Sequence, residues 1–521
     1  MNRWLNRANQ RVTLLSAAAL LVGASLFGQV LGFMRTQVVN GNFNTTGHIT
    51  TDAYFAAFKI PDFFFYTIAA GALGVAFMPF LADKLQQGDR QSVWKLTSGL
   101  LNLLGIFMFG IGLILLIFTE PLLRIVVGHN LSPDQMHDAV TIMRLVAFNP
   151  LLFTISGILT SLQQTFGRFF FYALAPILYN GCIIASVYIF KNNLGLVGLG
   201  IGALAGAILQ LLIVALGLIG LRFRYTASIN LHNAEFRHIL RERRDSIVET
   251  NRASALRPGA ITVSENAYTL HLAPILLIGT AISTAAFPRL NARLSQGRPD
   301  LFRRDFLSVL RAMIWIIVPV AVITFFTRAY LARLIFKNPQ TDIALVLQFL
   351  VGAILFRTIY AIISRWFYAQ KDTRTPLYVS LLAIALNVFL AFTLAKPTAA
   401  GGYDVAGLAI AQSTVAAVEV FILVGIMLWR DPKLFDAEFW GGVSRIFSVT
   451  GFTILTTYIM VTLIPLAAAD RGFIKLSAKL LAIIIPTLVV HIGLSSLFGL
   501  EEVRPVINKL KALVLKPVRL Q

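Results

Sequence analysis

Thirteen apolar runs, each long enough to cross a bilayer, divide the chain: residues 12–34, 52–82, 95–118, 138–163, 169–190, 196–221, 260–287, 306–326, 341–368, 375–397, 405–429, 441–466 and 473–498. A membrane-spanning helix needs roughly 20 mostly apolar residues. The polar stretches between the runs are too short for a soluble domain, so the pattern predicts an all-α membrane protein. The first run follows Arg3, Arg7 and Arg11, as a signal peptide would. Its length, and the lack of a small-residue cleavage site after it, mark it as an uncleaved first helix.

The polar stretches contain a repeat. Pro79–Gly88 and Pro288–Gly297 both read P-x-L-x-x-x-L-x-Q-G, at an offset of 209. Gln164–Arg168 and Gln370–Arg374 are offset by 206, and Asn180 and Asn387 by 207. Chance gives one such match; three at nearly one offset point to a duplicated chain. Duplicated multi-span chains are the signature of secondary transporters, with a site near the bilayer midplane between the halves.

The repeat also tests the crossing count. Both P-x-L-x-x-x-L-x-Q-G loops are basic, with Lys84, Arg90 and Lys95 in one and Arg289, Arg293, Arg298, Arg303 and Arg304 in the other. Both belong on the cytoplasmic side, so an even number of crossings must separate them. Only five runs do. The first run shifted by 209 falls on residues 221–243, where Arg222, Arg224, Arg237 and Glu242 would each cost on the order of 2.5–3.5 kcal/mol in mid-membrane. Ser246–Ala260 survives as a candidate, although it carries Glu249, Arg252 and Arg257. At about 15 residues, roughly 22 Å, it is shorter than the ~30 Å hydrocarbon core. A short, polar seventh helix lining a water-filled cavity is expected there; the alternative is a shortened, defective one. The total becomes about 14 helices with both termini cytoplasmic. The basic tail Arg504–Arg519 agrees, and Val506–Leu515 reads either as an amphipathic helix on the anionic leaflet or as a solvated end.

Composition narrows the function. Hydrophobic residues make up 57% and charged residues 13%, with a mean hydropathy of +0.75; soluble domains sit near 45–50% and about 25%. That excludes a soluble enzyme and a disordered chain. The single cysteine, Cys182, lies in an apolar run, so there is no disulfide scaffold. The net charge of +21 reflects basic cytoplasmic loops rather than nucleic-acid binding. No phosphate-binding G-x-x-x-x-G-K-[ST] loop, H-E-x-x-H or Cys/His cluster, or G-x-S-x-G elbow is present. The chain reads as a transporter, not an enzyme, without cofactor or metal, and driven by a membrane potential, a downhill substrate or a coupling cation (Na+ or H+).

The candidate chemistry is therefore the set of ionisable residues inside apolar runs, which are costly and usually face a cavity. Arg35 closes the first run. Asp52, Lys59 and Asp62 share one face of the second, next to Pro61, which should kink the helix. They form either one wall of a polar cavity or a mutually neutralising structural cluster. Glu265 and His271 lie in the 260–287 run, His271 as a structural histidine or a proton carrier. Arg357 and Arg365 share a face of the 341–368 run, and Arg365 is close enough to its end to snorkel. Glu419 is a lone acid, either a cation ligand or a hydrogen-bonded structural group, and His491 reads as structural. A cavity holding Arg35, Lys59 and Arg357 would favour an anion, phosphates being the polar anions that membrane lipids carry.

Several stretches resemble the MurJ (MviN) family of lipid II flippases: Leu31-Gly32-Phe33-Met34-Arg35, Thr51-Asp52-Ala53-Tyr54-Phe55-Ala56-Ala57-Phe58-Lys59-Ile60-Pro61, Gly71-Ala72-Leu73 with Ala76-Phe77-Met78-Pro79, Ala175–Asn180 and Phe367–Pro376. The family belongs to a superfamily that also holds drug exporters and polysaccharide flippases. The resemblance implies two six-helix bundles plus two C-terminal helices. It divides the chain into an N-terminal bundle at 1–221, a basic loop with a degenerate seventh helix at 222–259, the rest of the second bundle at 260–430, two C-terminal helices at 431–498 and a basic tail at 499–521. It also implies a function in the bacterial cytoplasmic membrane: carrying the undecaprenyl-pyrophosphate-linked peptidoglycan precursor, lipid II, from the inner to the outer leaflet by alternating access. The lipid tail would lie along the last two helices, and the expected partners are lipid II or a similar precursor and membrane lipids, the chain acting as a monomer. Cavity positions are then Arg35, Asp52, Lys59, Asp62, Glu265, Thr269, His271, Arg357 and Arg365, with Gly32, Pro61, Gly71 and Arg374 as gating or structural positions. Where the family places further basic residues this chain has Gln29, Phe65 and Thr269, and an acid is replaced by Ala70. The alternatives are an exporter of another lipid-linked glycan or amphiphile, and an inactive scaffold for envelope assembly.

Overall fold

The computed structural model describes residues 14–43, 51–65, 89–127, 131–168, 170–221, 223–227, 259–335, 340–370, 374–470 and 472–508, with the separate positions 81, 85, 253, 256 and 372. Among the described residues, eleven helices are long and apolar enough to cross a membrane, and they coincide with eleven of the thirteen apolar runs. The other two runs hold α1 (Leu14–Asn42) and α2 (Asp52–Phe64). The rest of the second run including Gly71 but not position 81, the Pro79–Gly88 stretch apart from positions 81 and 85, and nearly all of 222–259, where the proposed seventh helix falls, lie outside the described residues. The chain divides into two compact units, residues 1–262 and 263–521.

The first unit continues with α3 (Arg90–Ile117), α4 (Thr119–Val127), α5 (Pro133–Leu145), α6 (Asn149–Thr165), α7 (Phe170–Phe190) and α8 (Val197–Leu216). Local signals set the helix starts. Asp89 accepts the Ser92 N–H ahead of α3. Ser132 and Gln135 form a reciprocal capping box ahead of α5, with Pro133 at its first position. The apolar run at 138–163 is broken into α5 and α6, because Pro150 cannot donate a hydrogen bond to the Val146 carbonyl and its ring crowds it. The Asn149 N–H turns back to that carbonyl at 2.9 Å instead.

Several hydroxyls inside the apolar helices bond to a carbonyl of their own helix. Thr36 donates to the Gly32 carbonyl at 3.0 Å, Thr97 to Val93 at 2.8 Å and Thr154 to Pro150 at 2.6 Å. With no hydrophobic drive between helices in lipid, association depends on close approach. Gly198, Gly202 and Gly206 repeat every fourth residue along α8. An added Cβ at Gly202 would stand 2.2 Å from the Ser186 hydroxyl, and one at Gly206 would stand 3.0 Å from the Tyr179 carbonyl. That row lets α7 and α8 pack backbone to backbone.

After α8 the chain turns back along α3. The Thr226 N–H donates to Ser98 Oγ at 3.1 Å, and Asn102 Nδ2 donates to the Thr226 carbonyl at 3.1 Å. The Phe223 ring meets Trp94 edge-on, and Trp94 stacks on Phe166. The first unit ends at Thr262, three residues into α9 (Ala260–Pro274).

In the second unit α9 runs into a π-helical segment, Ile275–Thr280, and then α10 (Ala281–Ser295). A mid-helix π segment often marks a functional site. Next come α11 (Pro299–Ile335), α12 (Gln340–Ala369), α13 (Arg374–Leu394), α14 (Val405–Arg430), α15 (Ala437–Leu463) and α16 (Phe473–Leu497). One core joins Phe306, Leu310 and Met313 of α11, Ile362 and Phe367 of α12, Leu423 and Met427 of α14 and Phe439 of α15. Ser413 of α14 ties into α12, donating to the Phe349 carbonyl and accepting the Ala353 N–H.

A buried contact of Thr453 with His491 Nδ1 at 2.9 Å joins the last two helices, and Trp315 Nε1 of α11 donates to Ser495 Oγ of α16 at 2.8 Å. At one end Arg311 binds Glu502 and Glu501; at the other, buried Asp470 holds Lys475 and Lys479. Their outer faces carry large exposed apolar side chains such as Phe447, Leu455, Ile485 and Leu497, as lipid contact requires.

Candidate functional site

Of the charged residues that the sequence picks out in the second apolar run, Asp52 is withdrawn from solvent, at 2% exposure. Its carboxylate caps the start of α9. Oδ2 accepts the Gly259 N–H at 2.6 Å, while Oδ1 accepts the Thr262 N–H at 2.8 Å and the Thr262 hydroxyl at 2.5 Å. Because Thr262 gives its one hydroxyl hydrogen to Asp52, the Thr51 hydroxyl must donate to Thr262 Oγ1, 2.9 Å away. The first N–H groups of a helix have no partner within it and carry partial positive charge, and a carboxylate answers both conditions. Asp52 thus points to the start of α9. Lys59 and Asp62 are both half-buried further along α2.

Arg35 is not at a helix end, as the apolar run suggested. The helix continues to Asn42, which accepts a hydrogen bond from Lys191 at 3.0 Å. Arg35 and Asp62 both lie within electrostatic reach of the buried Tyr54 hydroxyl, so a basic and an acidic group flank one phenol in the first unit. Pro61 is buried inside α2, and beyond it the Phe65 N–H is shared between the Pro61 and Asp62 carbonyls. Gly32 has open space where a side chain would stand.

The second unit gathers a different group. Arg357 Nη1 lies 3.1 Å from Glu419 Oε2, across α12 and α14. Ser380 of α13 donates to Glu419 Oε1 at 2.7 Å, and Tyr360 Oη lies 3.1 Å from Ser380 Oγ. His271 is 6% exposed, donates from Nδ1 to the Tyr268 carbonyl at 2.8 Å, and lies within electrostatic reach of Arg357. The π segment packs close by: a Cβ on Gly279 would stand 3.2 Å from Thr358 Cα, the residue beside Arg357. Thr269 donates to the Glu265 carbonyl of its own helix. Arg365 stands apart, stacked 5.1 Å from the Phe287 ring and 5.9 Å from Tyr368.

The Gln370–Arg374 turn is a staple. Asp372 accepts the Arg374 and Thr375 N–H groups and the Thr375 hydroxyl, and pairs with Arg430 at 2.8 Å. Burial works against the charged carboxylate, but the Thr375 and Arg430 contacts outweigh it and hold Asp372 at about 2. Arg374 contributes its backbone there, and its side chain is exposed. In the matching first-half turn, Arg168 instead reaches the Gly217 and Ile219 carbonyls past the end of α8. No group of three or more His, Cys, Asp or Glu among the described residues could hold a metal ion.

A family model described as Lipid II flippase MurJ matches residues 47–468. The chain belongs to that family. A protein named "Probable lipid II flippase MurJ" from Borreliella burgdorferi is 22% identical over 437 residues, covering 80% of this chain and 83% of that protein. One of the same name from Bdellovibrio bacteriovorus is 23% identical over 527 residues, covering 95% and 96%. A solved structure titled lipid II flippase MurJ, inward closed conformation, superposes with a TM-score of 0.72 at 21% identity, covering 94% of this chain and all of that one. An inward-facing multidrug MATE transporter of the MOP superfamily gives 0.59 at 16% identity, covering 78% and 95%. The fold is thus that of a MurJ-like, multi-pass membrane transporter.

At one position where the resemblance implies a basic residue, the chain carries the aromatic side chain of Phe65. Phe65 packs edge-on against Phe153, which packs on Tyr179, an aromatic row in the first unit. The side chain of Gln29 and all of Ala70 lie outside the described residues. Sequence reasoning missed Ser380 and Tyr360 as partners of the charged pair, and Thr262 as the partner of Asp52. Tyr360 carried a signal, being three residues after Arg357 and so on the same helix face. Ser380 carried none.

Proposed function

We propose that this chain flips lipid II from the inner to the outer leaflet of the bacterial cytoplasmic membrane, by alternating access and without a catalytic step. The observation that carries the reading is the family match over residues 47–468. Ionisable side chains held inside apolar helices, Arg35 in the first unit and the Arg357–Glu419 pair in the second, support an anionic cargo. Guanidinium groups take phosphate oxygens by charge-assisted, often bidentate, hydrogen bonds. The arrangement proposed is about fourteen crossings in two six-helix bundles plus two C-terminal helices, both termini cytoplasmic, acting as a monomer. The short polar seventh helix at 246–260 completes the even count between the two basic loops. Lys59, Asp62, Glu265, Thr269 and His271 are proposed to line the path, Arg365 to stand at its cytoplasmic end, and a cation, Na+ or H+, to drive the cycle.

The test is complementation of a bacterium depleted of its own flippase, with outer-leaflet accessibility of the precursor as the readout. Restored growth with exposed precursor is expected. A stably inserted protein that leaves the precursor inaccessible, in a host with matched precursor chemistry, overturns the reading. A second reading draws on the aromatic row Phe65–Phe153–Tyr179, which stands where the family resemblance implies a basic residue. It favours a less strongly charged lipid-linked glycan as cargo.

A further inference from the structure

The Arg357–Glu419 pair is lopsided. The Glu419 side chain is 2% exposed and the Arg357 side chain 36%. Both Glu419 oxygens are occupied, Oε2 by Arg357 and Oε1 by Ser380. Ser380 has one hydrogen and gives it to Glu419, so Tyr360 must donate to Ser380. The carboxylate is fully committed to holding Arg357, with α12, α13 and α14 each supplying part of the mount.

The guanidinium is not fully committed. It carries five N–H donors, and only Nη1 is engaged among the described residues. Arg357 lies near the middle of the thirty-residue helix α12. An arginine with open donors at that depth cannot face hydrocarbon, so its open side faces a water-filled interior. Stability does not explain the pair, since buried ion pairs are often no better than apolar side chains of the same volume. What it achieves is a guanidinium held at mid-depth beside its counter-charge, with donors still unused among the described residues.

We infer that Arg357 is the residue of the second unit that binds the oxyanion of the cargo, and that Glu419, backed by Ser380 and Tyr360, is its positioning residue. The ligand class is a phosphate or diphosphate ester on a lipid. This rests on the lipid-linked diphosphate reading of the cargo and deepens it. Glu419 neutralises Arg357 when the site is empty, which keeps affinity moderate and allows release. It also fixes one edge of the guanidinium so that the other meets two phosphate oxygens.

The probe is farnesyl diphosphate binding to the full-length protein in detergent, by calorimetry, with phosphatidylglycerol as competitor. Arg357→Gln alone strands a buried carboxylate and is expected to destabilise the fold, so the decisive variant is the neutral pair Arg357→Gln/Glu419→Gln. It should keep the wild-type unfolding temperature and bind the diphosphate about ten- to a hundred-fold more weakly, the loss of one charged hydrogen-bonded contact. Glu419→Gln alone should bind more tightly and transport more slowly, a split that a merely structural role would not produce. Unchanged affinity in the neutral pair overturns the inference. So does equal displacement by phosphatidylglycerol, which would assign the site to bulk headgroups. A wild-type chain that restores growth but binds no diphosphate sinks this site and leaves the flippase reading standing. Binding that depends on Arg357 in a chain that never exposes the precursor does the reverse.

Discussion

Replacing Asp52 separates a cap from a ligand site. Its carboxylate accepts the Gly259 and Thr262 N–H groups and the Thr262 hydroxyl, all in a region closed to solvent. Alanine leaves two helix-start N–H groups buried without an acceptor. Each such group costs about 1–3 kcal/mol, and loss of an N-cap side chain typically costs ~1 kcal/mol. Partial re-pairing with water reduces the sum, so about 3 kcal/mol of local stability should be lost at the start of α9. Asparagine keeps one acceptor for both Thr262 donors but turns an NH2 toward the Gly259 N–H, and should lose about half as much. Thr262→Ala removes one donor and should cost ~1 kcal/mol. The assay is amide hydrogen exchange over residues 256–266 in the detergent-purified protein. At about 1.4 kcal/mol per tenfold, Asp52→Ala should exchange about a hundredfold faster there and the series should rank Ala, then Asn, then Thr262→Ala. Transport lost in Asp52→Ala with unchanged exchange would refute the capping role and return Asp52 to the cargo or ion path.

Gly206→Val should lower the unfolding temperature of the purified protein by an overpacking cost of about 1–3 kcal/mol, because its Cβ meets the Tyr179 carbonyl at 3.0 Å. Gly105→Val, with open space around it, is the control, and equal effects would refute the packing account. Asp372 is held at about 2, below the ordinary carboxylate value, so its contribution is present above about pH 4 and is lost as pH falls through about 2. Pepsin cleavage of the 370–376 segment should therefore rise between pH 4 and pH 2, relative to Asp372→Asn, which lacks the titrating group; parallel curves would count against the staple. Single cysteines at Gln86→Cys and Gln296→Cys, in a Cys182→Ser background, should react with an impermeant maleimide from the same side of the membrane. Reaction from opposite sides would break the even crossing count and with it the seventh helix.

The spans were legible because the bilayer imposes one rule on every residue of a crossing, and an apolar run records it directly. Breaks within spans were legible only where a proline caused them. Pro150 could have located the α5–α6 break, and Pro61 marks a real irregularity at Phe65. The π segment at Ile275–Thr280 follows Pro274, yet nothing in Ile-Leu-Leu-Ile-Gly-Thr distinguishes it from ordinary helix. Charged residues were found for the same reason as the spans, since each is an exception to the bilayer rule, but their roles were not. Asp52, Lys59 and Asp62 share a helix face, and periodicity grouped them. The structure shows Asp52 engaging a segment 207–210 residues away, near the offset of 209 that relates the repeated loops. Helix periodicity reports neighbours on one helix, whereas a buried charge is settled by whichever segment brings it donors. The same holds for Glu419, whose partners lie 39 and 62 residues away. The sequence leaves it as either a cation ligand or a hydrogen-bonded structural acid; either way a carboxylate at that depth needs a compensating charge. In this structure the guanidinium of Arg357 supplies it.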